Sequence, residues 1–178
     1  MAQLRLLDRI RPGVRVLFVG INPGLRSAQA GHHFAGRSNR FWKLLYESRL
    51  VTEALTYTDD QRVSEWGLGL TNVISRPSRG IDTLSAEEYR AGVAALARKV
   101  RRYRPTVVAL LGVTIYRTVF ESKQVLPARL DLGLTASRIA GAPIFLLPNP
   151  SGRNAHYRYA DMLEAFRSLR KCAARTAR

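Results

Sequence analysis

The chain has 178 residues, 46% of them hydrophobic, which suffices for one compact core and is too short for two ordinary domains, so residues 1–178 are read as one domain. Lys and Arg number 29 against 13 Asp and Glu, a net charge of +16, with arginines recurring through the loops, and this points to a polyanionic partner held by salt-sensitive phosphate contacts. The lone Cys172 and the three histidines (His32, His33, His156) exclude an internal disulfide and a multi-cysteine metal site, so no metal is expected.

The first element is an apolar strand, Val14–Val19, that ends abruptly in Gly20-Ile21-Asn22-Pro23-Gly24. Asn22 is therefore displayed at a strand's carboxyl end, the edge where open α/β sheets bind ligands. An irregular glycine-rich segment, Gly24–Arg37, follows, then a helix over Ser38–Ser48 behind a Ser38 cap. Thr58-Asp59-Asp60-Gln61 reads as a capping box opening a short helix, and Leu68–Ile74 alternates as a strand. After the polar loop Arg76-Pro77-Ser78-Arg79-Gly80, a second capping box at Ser85–Glu88 opens a helix to about Tyr103, which Pro105 stops. Thr106–Leu111 is a continuous apolar run suited to a parallel strand covered on both faces, and Gly112 starts a helix through about Phe120. Arg129–Ile139 reads as an edge strand, Pro143–Leu147 as a buried one, and Ala155 to about Ala174 as an amphipathic helix. Strands alternating with helices predict a three-layer α/β/α sandwich with a mainly parallel central sheet. No signal-peptide pattern opens the sequence and no apolar run approaches membrane-spanning length, so a cytoplasmic protein without membrane contact is expected.

Two segments at opposite ends of the chain carry a resemblance. Gly20-Ile21-Asn22-Pro23-Gly24 with Phe34-Ala35 and Ser38-Asn39-Arg40-Phe41-Trp42, and later Leu147-Pro148-Asn149-Pro150-Ser151-Gly152, resemble the signature segments of the mismatch-specific uracil/thymine-DNA glycosylases. Thr71-Asn72 and Arg76-Pro77 fall between them in matching order. The resemblance implies the uracil-DNA glycosylase fold and hydrolysis of the N-glycosidic bond of uracil. The preferred lesion would be the G·U mismatch, extending to G·T, other deaminated bases and single strands, in base excision repair. It implies an enzyme working on DNA without metal or organic cofactor, and a monomer is expected because a duplex-embracing enzyme of this size needs no second subunit.

By the same resemblance Asn22 is the catalytic asparagine that orients water, and Phe34 stacks on the flipped base. The backbone N–H groups of Ile21 and Phe34 would bind pyrimidine oxygens, Asn72 would help seat the base, and Ser27 would face its C5 position. Arg153 takes the place of the wedge that fills the hole left by the extruded nucleotide. Bacterial mismatch-specific members often carry leucine there, and the arginine is similar instead to vertebrate thymine-DNA glycosylases. Ser151, Gly152 and Asn154 join it as DNA contacts. Faster uracil-DNA glycosylases have a histidine in the second motif and an aspartate in the first, where this chain has Asn149 and Asn22, so a slow chemical step is expected. Asp82 and His33 are auxiliary candidates, although adjacent histidines such as His32 and His33 ordinarily lie solvated in a mobile loop. Two rivals stand beside this reading: a glycosylase acting chiefly on deaminated purines, and a non-catalytic damaged-DNA-binding protein.

Overall fold

A computed structural model describes residues 5–120 and 130–176. Five strands, β1 (Val16–Gly20), β2 (Leu68–Asn72), β3 (Val107–Leu111), β4 (Gly133–Ile139) and β5 (Ala142–Leu147), form one sheet in the order β2-β1-β3-β5-β4. All neighbours are parallel except the β4–β5 edge pair. Every residue of β1, β2 and β3 is buried, as continuous apolar strands between two helical layers should be. The helices are α1 (Leu25–Ala30), α2 (Phe41–Glu47), α3 (Ala86–Tyr103), α4 (Val113–Phe120) and α5 (Tyr159–Thr176).

Side chains alternate across the sheet, so Phe18 and Gly20 share a face with their register partners Leu70 and Asn72. On that face Phe18 meets Phe41 of α2 edge-on at 5.2 Å and Phe166 of α5 in a stack at 6.1 Å, which welds these helices to β1. Thr71 points the opposite way and accepts from Lys99 of α3 at 2.8 Å. The expected α/β/α sandwich is thus formed. Because β1 leads to β2 on one side while β3 lies on its other side, the chain reverses direction beside β1, and a crevice opens at the carboxyl ends of these strands.

Several boundaries differ from expectation. The glycine-rich segment contains α1, closed by Gly31 in a left-handed conformation. Ser38 caps nothing: α2 starts at Phe41, whose N–H donates to Asn39 Oδ1 at 2.9 Å. The first capping box is built from Thr56 and Asp59, two residues earlier than the Thr58–Gln61 pattern suggests, and it opens a 3-10 helix, Tyr57–Trp66. β2 ends at Asn72, β4 starts at Gly133, and α5 starts at Tyr159 instead of Ala155; Arg129 lies outside the described residues. The second capping box forms as expected, with Glu88 N–H donating to Ser85 Oγ at 3.1 Å and Ser85 N–H to Glu88 at 2.9 Å.

Candidate active site

A cleft of about 540 Å³ occupies the carboxyl edge of the sheet. Its floor is the ends of β1, β2 and β3, at Gly20, Asn72 and Leu111. One wall is the stretch from Ile21 to Asn39, and the other is the loop from Asn149 to Arg153.

Asn22, half-buried, projects from the turn after β1. Its amide nitrogen donates to Ser78 Oγ at 2.8 Å and approaches the Arg76 and Pro23 carbonyls at 3.3 Å each. Ser78 Oγ gives its only hydrogen to the Gly80 carbonyl at 2.7 Å, so it can only accept from Asn22. Three acceptors thereby fix which end of the carboxamide is nitrogen. Oδ1 is left without a partner among the described residues, on a side chain that lines the cleft.

Asn72 is 8% exposed, and neither end of its carboxamide has a protein partner among the described residues. It lines the cleft beside Gly20, its register partner on β1. A Cβ on Gly20 would come within 2.5 Å of Asn72 Oδ1, so only glycine lets the amide lie across the end of β1.

Phe34 adopts φ +54, a left-handed conformation that costs a non-glycine residue roughly 1–2 kcal/mol. One ring face stacks on Phe41 with centroids 4.0 Å apart, and the residue lines the cleft. The backbone N–H groups of Ile21 and Phe34 find no acceptor among the described residues. Contacts on both sides hold the turn in place. Ala35 N–H donates to Ser27 Oγ at 3.1 Å and its carbonyl accepts from Arg26 Nε at 2.7 Å, so Ser27 is a buried brace of the turn as well as part of the cleft wall.

The histidines are not solvated residues in a loose loop. His33 is 2% exposed: its Nε2 faces the Leu7 carbonyl at 3.0 Å, its N–H donates to Asp60 at 2.9 Å, and its carbonyl accepts from Trp42 Nε1 at 3.3 Å. Burial holds its imidazole below the ordinary value of 6.5, so it is neutral near pH 7 with Nε2 protonated. His32 Nδ1 lies 3.0 Å from Asp60 Oδ1. Asp60, read from sequence as helix-capping material, is fully buried behind this turn. Nothing local marks it, because its partners lie far away in sequence.

The opposite wall is stapled to the first. Arg40 N–H donates to the Pro150 carbonyl at 2.9 Å, and its guanidinium reaches the Asn154 carbonyl at 3.0 Å. A Cβ on Gly152 would overlap the Ser38 side chain and lie 2.7 Å from its carbonyl, so this glycine is required by packing inside the protein. Asn154 does not line the cleft: its amide donates to the Asn149 carbonyl at 2.8 Å and its Oδ1 accepts from His156 N–H at 3.0 Å, a scaffold for the loop. Asp82 is exposed and also stands outside the cleft lining. Arg153 and Arg79 are exposed on opposite rims, and neither guanidinium has a protein partner among the described residues. The Asn149–Arg153 loop therefore carries an exposed cation at the edge of the cleft.

The family model described as the Uracil DNA glycosylase superfamily matches residues 7–170. The chain belongs to that superfamily. As a uracil-DNA glycosylase superfamily member it is a hydrolase acting on damaged bases in DNA, and the cleft gathers residues of both signature segments, about 110 positions apart, into one site. Among the described residues no group of His, Cys, Asp and Glu side chains converges as a metal site would.

Proposed function

We propose that this glycosylase removes uracil from duplex DNA, most readily opposite guanine, as a monofunctional, monomeric enzyme. The observation that carries the reading is the locked carboxamide of Asn22, whose free oxygen borders a cleft also lined by two residues with unpartnered backbone N–H groups. An amide is a weak base, but an oxygen with a fixed direction can accept one proton of a water and aim its lone pair at a sugar carbon.

In this mechanism the nucleotide leaves the stack and its base lies against the open face of Phe34. The Ile21 and Phe34 N–H groups donate to the pyrimidine oxygens and stabilise the negative charge that grows on the base. Asn72 meets the base edge with a donor and an acceptor. The C1′–N1 bond breaks with its electron pair passing to the base. The Asn22-held water then bonds to C1′ of the cationic sugar and sheds a proton to solvent, leaving an abasic site. A lyase step through an enzyme amine would need a nucleophilic lysine, and none lines the cleft among the described residues. Arg153 fills the vacated stack and adds salt dependence through phosphate contact.

The test is single-turnover incubation with G·U, A·U, G·T, hypoxanthine, xanthine and single-stranded uracil oligonucleotides in EDTA, followed by hot alkali. Alkali-dependent scission fastest at G·U supports the proposal. Faster cleavage at hypoxanthine or xanthine replaces it with the purine reading, and scission at no lesion overturns the catalytic reading in favour of damage binding.

A further inference from the structure

We propose that the buried carboxylate of Asp60 is a positioning residue for the base pocket, acting through the His32–Phe34 turn and the Arg9 strut. A carboxylate removed from water is tolerated only where donors and opposite charge replace the lost hydration. Asp60 has no exposed surface, and it gives nothing to its own helix, whose start is capped by Thr56 and Asp59. All of its polar partners among the described residues belong to other segments: the His33 N–H at 2.9 Å, His32 Nδ1 at 3.0 Å and Arg9 Nε at 3.0 Å. The Arg9 Nε–H is not directed along a hydrogen bond, so that contact is one of charge with charge.

Arg9 is itself tied at two further points. Its backbone N–H and carbonyl pair with Leu70 at 2.9 Å each, two residues before Asn72, and its terminal nitrogen donates to the Gly31 carbonyl at 2.8 Å. The Arg9–Asp60 pair thus links the strand that presents Asn72 to the turn that presents Phe34. Phe34 immediately follows the amide bound by Asp60 and sits at φ +54. Such a conformation persists only where its surroundings over-determine it. Ser27 and Arg26 hold the far side at Ala35, and Asp60 holds the near side. Without it the Phe34 N–H and ring lose their aim while the core beneath remains.

The kinetic arm of this inference rests on the glycosylase reading, and the exchange arm does not. In Asp60→Asn, one carbonyl oxygen cannot serve every donor, and the new NH2 faces donors in its turn. The single-turnover rate on the G·U duplex at saturating enzyme should fall at least about tenfold, with the duplex Kd within about twofold of wild type. By NMR, exchange of the His33 and Ala35 amides should accelerate at least about tenfold, with the Phe18 and Leu110 amides unchanged. Wild-type exchange in the turn, or faster exchange with an intact single-turnover rate, overturns the proposal. Should Asp60→Asn fail to fold, Arg9→Gln and His32→Gln each remove one contact and must give the same two changes with smaller amplitude; their absence in both variants overturns it equally. Wild type inactive on every lesion would sink the glycosylase reading and leave the exchange result standing.

Discussion

The two walls of the cleft are built on different principles. The wall from Ile21 to Ala35 is held from behind by the buried Asp60, Ser27 and Trp42 and by the exposed Arg26, whose Nε donates to the Ala35 carbonyl, while the Ile21 and Phe34 N–H groups keep no acceptor among the described residues. The loop from Asn149 to Asn154 is cinched through its backbone by Arg40 and Asn154, while its long side chain, Arg153, stays exposed and without a protein partner among the described residues. Groups that must meet a reacting centre within a fraction of an ångström need fixed rotamers and supporting contacts. A cation that meets a flexible polyanion gains from reach.

Asn22→Ala should break this contrast most severely: the single-turnover rate falls at least about 100-fold while duplex affinity, measured by anisotropy, changes little. An equal loss of affinity would mean that Asn22 binds the substrate instead of aligning water. Ser78→Ala removes the acceptor that orients the Asn22 nitrogen, and a loss of about tenfold in rate, with Asn22→Ala/Ser78→Ala no slower than Asn22→Ala alone, would place both in one unit. Arg153→Ala belongs to the other wall, so its effect should appear in binding, with the slope of log Kd against log salt reduced by about 1. An unchanged slope would remove Arg153 from the phosphate contacts.

The smallest effect concerns pH. Burial depresses the His33 pKa below 6.5, so its contribution to stability is complete above pH 6.5 and is lost as pH falls through the folded-state value, because the unfolded chain takes up the proton first. Urea midpoints should decline from pH 6.5 toward 5, and His33→Gln should flatten that decline. Glu88, held down at about 2 by Arg76 and the Ser85 N–H, keeps its charge throughout this range and cannot account for the slope.

Much of the fold was legible because its strands are short apolar runs bounded by glycine and proline, and Asn22 was legible because a polar amide ends one of them. The misplacements share a cause. α1 is six residues long and Thr56 lies outside the Thr58–Gln61 pattern, so local signals were weak or offset. Asp60 and Arg40 escaped because what matters in each is a partner brought near by the sheet: His33 and Arg9 for one, Pro150 and Asn154 for the other. His33 has the same explanation from the opposite side, since it is satisfied by the distant Leu7 carbonyl, whereas Asn154 is taken up by the backbone of its own loop at Asn149 and His156.

The Arg40 bonds and the Gly152–Ser38 approach make the late loop a dependant of a segment about 110 residues earlier. A chimera carrying another protein's late loop on this scaffold inherits the wrong docking surface unless residues 38–40 travel with it, so exchange of recognition between such enzymes is a two-segment transplant.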